Sequence, residues 1–185
     1  MSAWAAYSLW LLPQASAQEA LSDLVVRLSR RFNTRPFAPH VTVHGDLTRR
    51  LREVTTVAQD LARTLPVQRW PVRGIEQSAQ YYRAFYLAFD NCDAFASLGP
   101  RCAQAFATEA GLSPFAHLSL AYGTLDPVAK SALVREFAAE IPQTLTFDRL
   151  AVALSGKSVG IASWRTLQSF ALAPDAPNRP EEIPS

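Results

Sequence analysis

Two four-residue strings, His40-Val41-Thr42-Val43 and His117-Leu118-Ser119-Leu120, share one pattern: histidine, apolar, hydroxyl, apolar. Apolar residues at every second position read as a β-strand, on which positions i and i+2 share a face. Each string therefore turns one imidazole and one hydroxyl to the same side and seats Val or Leu behind them. The chain has three histidines, and two of them stand in this setting.

The duplication extends on both sides of the strings, so that Tyr7–Leu47 aligns with Phe85–Leu125. Each half opens on an aromatic and aliphatic run, Tyr7-Ser8-Leu9-Trp10-Leu11-Leu12 or Phe85-Tyr86-Leu87-Ala88-Phe89. A helical stripe follows: Leu21, Leu24, Val25, Leu28 and Phe32 in one, Phe95, Leu98, Cys102, Ala105 and Phe106 in the other. Pro36-Phe37-Ala38-Pro39 and Pro114-Phe115-Ala116 lead into the histidine strands, which end at Gly45-Asp46-Leu47 and Gly123-Thr124-Leu125. A second helix follows each, through Leu51, Val54, Val57, Leu61 and Leu65, or Val128, Leu133, Val134, Phe137 and Ile141. Asp126-Pro127 supplies an acidic cap and a proline at the first helical position. Strand-like residues return at Val67–Ile75 and Thr144–Leu154, with a last strand over Ala162–Leu172. A period of about 78 residues is too long for a solenoid, whose units run about 20–50. The pattern predicts an α+β chain of two pseudo-symmetric lobes, each with an antiparallel-rich sheet and two helices, around a central cleft. Residues 1–173 read as one two-lobed domain with halves near 5–78 and 82–173, and 174–185 as a proline-rich tail.

A hydrophobic fraction of 49%, a charged fraction of 18% and a net charge of +2 describe an ordinary globular domain. The near-neutral charge argues against a general nucleic-acid coat, though not against a local phosphate pocket. Cys92 and Cys102 lack zinc-type spacing. Cys102 falls on an apolar stripe and reads as a buried thiol; a Cys92–Cys102 disulfide is compatible with the sequence but not required by it. Ala15-Ser16-Ala17 resembles a signal-peptidase site, but no positively charged segment precedes it, and the repeat claims Tyr7–Leu12 as a core strand. The expectation is a cytoplasmic monomer without a membrane span, which would need about 20 apolar residues.

A phosphodiester hydrolase needs a base to activate water, an acid for the leaving oxygen, and donors for the phosphoryl oxygens. Imidazoles titrate near neutrality and serve as either acid or base. Hydroxyls such as those of Thr42 and Ser119 donate to non-bridging oxygens. No metal or other cofactor is implied, because two histidines and two hydroxyls are a poor ligand set.

The paired strings resemble the signature motifs of the two-histidine (2H) phosphoesterase superfamily. Tyr7-Ser8-Leu9-Trp10-Leu11-Leu12-Pro13, Phe37-Ala38-Pro39-His40-Val41-Thr42-Val43 and His117-Leu118-Ser119-Leu120-Ala121-Tyr122-Gly123 are most similar to its cyclic phosphodiesterase branch from plants and yeast. A Ser163-Trp164-Arg165 segment extends the likeness towards the end of the chain. The bacterial RNA-ligase-like branch usually carries Phe-Leu-Gly after its first motif, where this chain has His44-Gly45-Asp46. The resemblance implies a bilobal fold and metal-independent hydrolysis of nucleoside 2′,3′-cyclic phosphates or ADP-ribose 1″,2″-cyclic phosphate to a monoester, typically the 2′-phosphate or 1″-phosphate. It implies His40 and His117 as the acid/base pair, Thr42 and Ser119 as phosphate ligands, and a phosphate- or water-contacting role for Tyr122. Strict strand alternation would put Tyr122 on the wrong face, so this role needs a bend near Gly123. Two alternatives stand: a 2H enzyme acting on RNA ends or 2′-5′ linkages, and a non-catalytic nucleotide-binding module.

Other residues read more plainly. His44 reads as a solvated histidine at a strand end, and Arg83 as a surface charge. Tyr82, Tyr86 and Trp10 have the chemistry to stack a base, with Trp10 expected in the core. Lys157, in Ser155-Gly156-Lys157-Ser158, reads as part of a hairpin turn between the last two strands.

Overall fold

The computed structural model describes residues 6–124 and 126–174. The expected tail from residue 175 onward lies outside the described residues. The order of elements is β1 (Tyr7–Pro13), α1 (Ala15–Arg31), β2 (Val41–Leu47), α2 (Leu51–Thr64), β3 (Gln68–Gln77), β4 (Phe85–Phe89), α3 (Asp93–Phe106), β5 (His117–Ala121), α4 (Pro127–Phe137), β6 (Thr144–Leu154) and β7 (Arg165–Ala171). This is the anticipated α+β trace. Asp126 caps α4 by accepting the Val128 N–H at 2.8 Å. Leu51 and Val128, counted in the apolar stripes, instead lie exposed in the first turns of α2 and α4, where the helix has not yet met the sheet.

The strands form one antiparallel sheet ordered β1-β2-β5-β4-β3-β6-β7, and β6 also pairs with β1, so six strands close a circuit. The pairing exchanges strands between the two sequence halves. β3, from the first half, lies on β4 of the second, and β6, from the second half, lies on β1 of the first. Helices cross over too: α1 packs on β5, and α3 on β2. Each half thus covers the other's histidine strand, which ties the two lobes into one folding unit.

β1 is central, between β2 and β6, and its faces serve different cores. Leu9 and Leu11 enter the main core under the helices. Trp10 and Leu12 face the other way and join Ala151, Ala153 and Trp164 in a second cluster, where the two alanines leave room for the indoles. A strand buried on both faces reads as a continuous apolar run.

Between β2 and β5 the register pairs Val41 with Leu118. Carrying it one residue either way sets His40 across from Ser119 and Thr42 across from His117. Each strand then carries a bulge at the last motif residue. Leu9 pairs with His44 but Trp10 with Thr42, which leaves Val43 as the extra residue. Phe85 pairs with Ala121 but Tyr86 with Ser119, which leaves Leu120 as the extra residue.

Candidate active site

The bulges decide which side chains meet the cleft. After Val43 the alternation is reversed, so His44 turns to the helix side. It is fully buried, with Phe106 of α3 edge-on at 5.6 Å, and its ring nitrogens face the carbonyl oxygens of Gly45 and Thr108. The expectation of a solvated strand-end histidine is therefore wrong. After Leu120 the same reversal returns Tyr122 to the cleft side. There it is buried and stacks on Phe37, ring centroids 4.0 Å apart at 15°. The bulge, more than a bend at Gly123, answers the objection from alternation.

His40, Thr42, His117, Ser119 and Tyr122 all line one cleft of about 590 Å³. Its walls include Trp10, Tyr81, Tyr82, Arg83 and Trp164, and its rim includes Gly111–Pro114 and Ser155–Lys157. By register the two histidines are diagonal neighbours on adjacent strands, a relation that spans roughly 7–8 Å between backbones.

One backbone device orients both rings. The residue two positions before each histidine accepts a hydrogen bond from its Nδ1–H: Ala38 O at 2.6 Å for His40, Phe115 O at 3.1 Å for His117. A carbonyl only accepts, so Nδ1 carries the proton and Nε2 is the lone-pair nitrogen of the neutral ring. Burial pushes the His40 imidazole down to about 4, against the Ala38 carbonyl and with a small push from His117. Burial likewise pushes His117 down to about 4; the Phe115 carbonyl opposes this and the positive charge of Arg83 adds to it. Both rings are therefore neutral at pH 7 in the free protein.

The surroundings differ. His40 lies flat on Trp10, centroids 3.7 Å apart at 15°, and meets the edges of Phe37 and Trp164. His117 is half-buried and touches Tyr86 and Phe115 at 5.5 and 5.2 Å. The Ser119 hydroxyl donates to Tyr82 O at 3.3 Å. Burial raises the Tyr122 phenol, with a hydrogen bond to Ser119 opposing, so it stays protonated.

The rim is set by close backbone approaches. The Gly45 N–H donates to Gly111 O at 2.7 Å, and Ser113 N–H to Val43 O at 3.1 Å, which docks the loop before β5 against β2. Gly111 has φ +96°, and a side-chain carbon there would collide with the Gly45 carbonyl, so no other residue fits. Lys157 lies in a ten-residue connection between β6 and β7 rather than a tight hairpin turn. That loop is held to the rim by Lys157 N–H donating to Asp46 Oδ1 at 2.8 Å. Asp46 adopts the left-handed conformation, φ +55°, which Asp tolerates. Arg83, read from sequence as a surface charge, instead lines the cleft with its guanidinium over the Phe115 ring. Folding of the turn Tyr81–Arg83 back over β5 puts it there, a long-range event with no local sequence signal. Cys92 and Cys102 are free thiols, so no disulfide joins them; burial pushes the Cys102 thiol up to about 12. Among the described residues no three His, Cys, Asp or Glu side chains gather into a metal-binding group, and no helix is long and apolar enough to cross a membrane.

A family model described as cyclic phosphodiesterase-like protein matches residues 5–174, and the chain belongs to this family, within the 2H phosphoesterase superfamily. No curated protein matches. Among solved structures, apo LigT of E. coli aligns at 13% identity and TM-score 0.60, over 91% of this chain and 98% of LigT. TT0787 of Thermus thermophilus aligns at 15% identity and TM-score 0.59, over 92% of this chain and all of that one. At such identities the likeness is one of fold.

Proposed function

We propose, for this member of the cyclic phosphodiesterase-like family, hydrolysis of small 2′,3′-cyclic nucleotides, and of ADP-ribose 1″,2″-cyclic phosphate, by a metal-independent two-histidine mechanism. The observation that carries the proposal is the pair of matched Nδ1–carbonyl bonds, which leave the Nε2 lone pair free on both rings, in two histidines that line one cleft on register-paired strands. E. coli LigT, of the same fold, has been crystallised with 3′-AMP. That supports a nucleotide of similar size as the occupant here.

The phosphodiester enters between the imidazoles, and its negative charge draws a proton onto one of them. The neutral ring takes a proton from water as the oxygen of that water bonds to phosphorus. The bond from phosphorus to a ribose oxygen breaks, and the protonated ring gives its proton to that oxygen. The two rings finish with their protonation exchanged, and the product is a monoester. Thr42 and Ser119 donate to the non-bridging oxygens as charge builds. Ser119 turns from the Tyr82 carbonyl to do so, and the Tyr122 phenol lies beside it as a further donor.

The test is a panel of 2′,3′-cyclic nucleotides, ADP-ribose 1″,2″-cyclic phosphate and short 2′-5′ oligonucleotides, assayed in EDTA with products read by phosphorus NMR. The reading expects the cyclic compounds to be opened to the 2′- or 1″-monoester at a rate that EDTA leaves unchanged. Preference for the oligonucleotides, or restoration of a lost rate by a divalent ion, contradicts it.

A further inference from the structure

We infer that Arg83 is the residue that holds the substrate's phosphate charge from the His117 side of the cleft. The inference rests on the phosphodiesterase reading for its substrate but not for its chemistry, which is anion binding.

Two basic side chains stand among the cleft-lining residues, Arg83 and Lys157. Lys157 is poorly placed to act: its side chain is 79% exposed, and its ammonium lies 4.0 Å from Asp46. Arg83 is the reverse. Among the described residues its side chain has no ion pair and no hydrogen bond, and its Nε is buried without a partner. A buried, unpaired guanidinium nitrogen is a costly arrangement unless an acceptor arrives to meet it. The root of the side chain is fixed. The Arg83 N–H donates to Gln80 O at 3.0 Å, and Arg83 O accepts from Ser78 Oγ at 2.6 Å. The buried Lys130 of α4 in turn donates to Ser78 O at 2.6 Å, which anchors the whole turn. At the other end the guanidinium lies 4.7 Å over the Phe115 ring, and that ring abuts His117. A guanidinium laid on an aromatic face is pre-organised to offer its edge as a fork to a phosphate.

The chemistry of the cleft calls for such a group. With both imidazoles neutral, the hydroxyls of Thr42, Ser119 and Tyr122 are donors without charge. Arg83 supplies the positive charge that brings an anion to the histidines before either is protonated. Phe115 under its guanidinium, and His117 and Tyr86 nearby, carry no negative charge at neutral pH, and among the described residues no carboxylate forms an ion pair with it. Glu76 bonds Tyr86 and Arg73 instead.

The experiment compares wild type, Arg83→Gln and Arg83→Lys at pH 7. It follows steady-state hydrolysis of 2′,3′-cyclic AMP and, by calorimetry, binding of inorganic phosphate. Arg83 has no side-chain hydrogen bond to lose, so Arg83→Gln should fold. The expected result is a rise in KM, and a parallel weakening of phosphate binding, of roughly ten- to hundredfold in Arg83→Gln, with kcat changed much less and Arg83→Lys in between. Unchanged KM and phosphate affinity in folded Arg83→Gln overturn the inference, as does a loss confined to kcat. If wild type binds phosphate in an Arg83-dependent way but opens no cyclic nucleotide, the anion site stands and the proposed activity falls.

Discussion

The His40 and His117 half-sites share a backbone and differ in their walls. Both rings are locked by a carbonyl two residues upstream, both strands bulge at the fourth motif residue, and both are covered by a helix from the opposite half. Around His40 the walls are the stacked face of Trp10, with Phe37 and Trp164 set edge-on to the imidazole. Around His117 no ring stacks: Tyr86 is edge-on and Phe115 tilted, with a cation nearby. Past the bulges the halves diverge again, with Gly45 facing the cleft in one and Tyr122 in the other. Duplicated main chain sets the tautomer and direction of both imidazoles, while unduplicated side chains set how each is solvated and charged. A symmetric frame with asymmetric walls suits the proposed mechanism, in which the two histidines hold opposite protonation states at the same moment.

The largest expected effect comes from either histidine. His40→Ala and His117→Ala should each lower kcat by about 10²–10⁴-fold, the range for loss of one proton transfer. Single-turnover assays on folded protein check this, and a variant with near-normal turnover would remove that residue from the chemistry.

The walls should differ in what they support. Trp10→Ala removes the floor under His40 and a buried indole, and should cost about 3–5 kcal/mol of stability by denaturant unfolding. Tyr86→Phe, beside His117, loses only the hydroxyl bond to Glu76 and should cost about 1 kcal/mol. Equal losses would mean that the two half-sites are not so differently built.

Thr42→Ala and Ser119→Ala should slow turnover by less than the histidine changes, since one oxyanion donor is worth at most about 2.7–4 kcal/mol. Of the two, Ser119→Ala should also loosen the turn at Tyr82, whose carbonyl it holds. Hydrogen exchange at Tyr81–Arg83 reports that difference.

Much of this is legible in the sequence, and the reasons for the rest are specific. Period-two alternation places the histidine strands, and Asp126-Pro127 places the start of α4, because both signals are local. The bulges at Val43 and Leu120 are not legible, because each depends on how the neighbouring strand pairs. Without them, His44 reads as solvated and Tyr122 as needing a bend. Exchange of β3 and β6 between halves depends on pairings far apart in the chain, which a repeat pattern does not encode. Arg83 escapes sequence reasoning for the same reason: a charged residue before a strand looks like surface until the turn that carries it folds over the cleft.

Acid should expose His40. Its imidazole titrates near 4 in the folded protein and near 6.5 when unfolded, so between those values the unfolded chain binds more protons. Stability from this group is full above pH 6.5 and is lost as pH falls from 6.5 to about 4, on the order of 3 kcal/mol in all. His117 carries a like shift over the same window, so replacing His40 with Gln should reduce the slope of that part of the stability–pH curve to what His117 alone contributes. An unchanged curve would show that His40 is not held neutral by burial.

The central claim is that His40 and His117 divide acid and base roles around one phosphate, and the pH dependence of kcat/KM tests it most directly. Wild type should give a bell with two limbs. His40→Ala and His117→Ala, followed through their residual rates, should each keep one limb only, and not the same one. If both variants lose the same limb, or both keep the whole bell, the two histidines do not act as an acid/base pair.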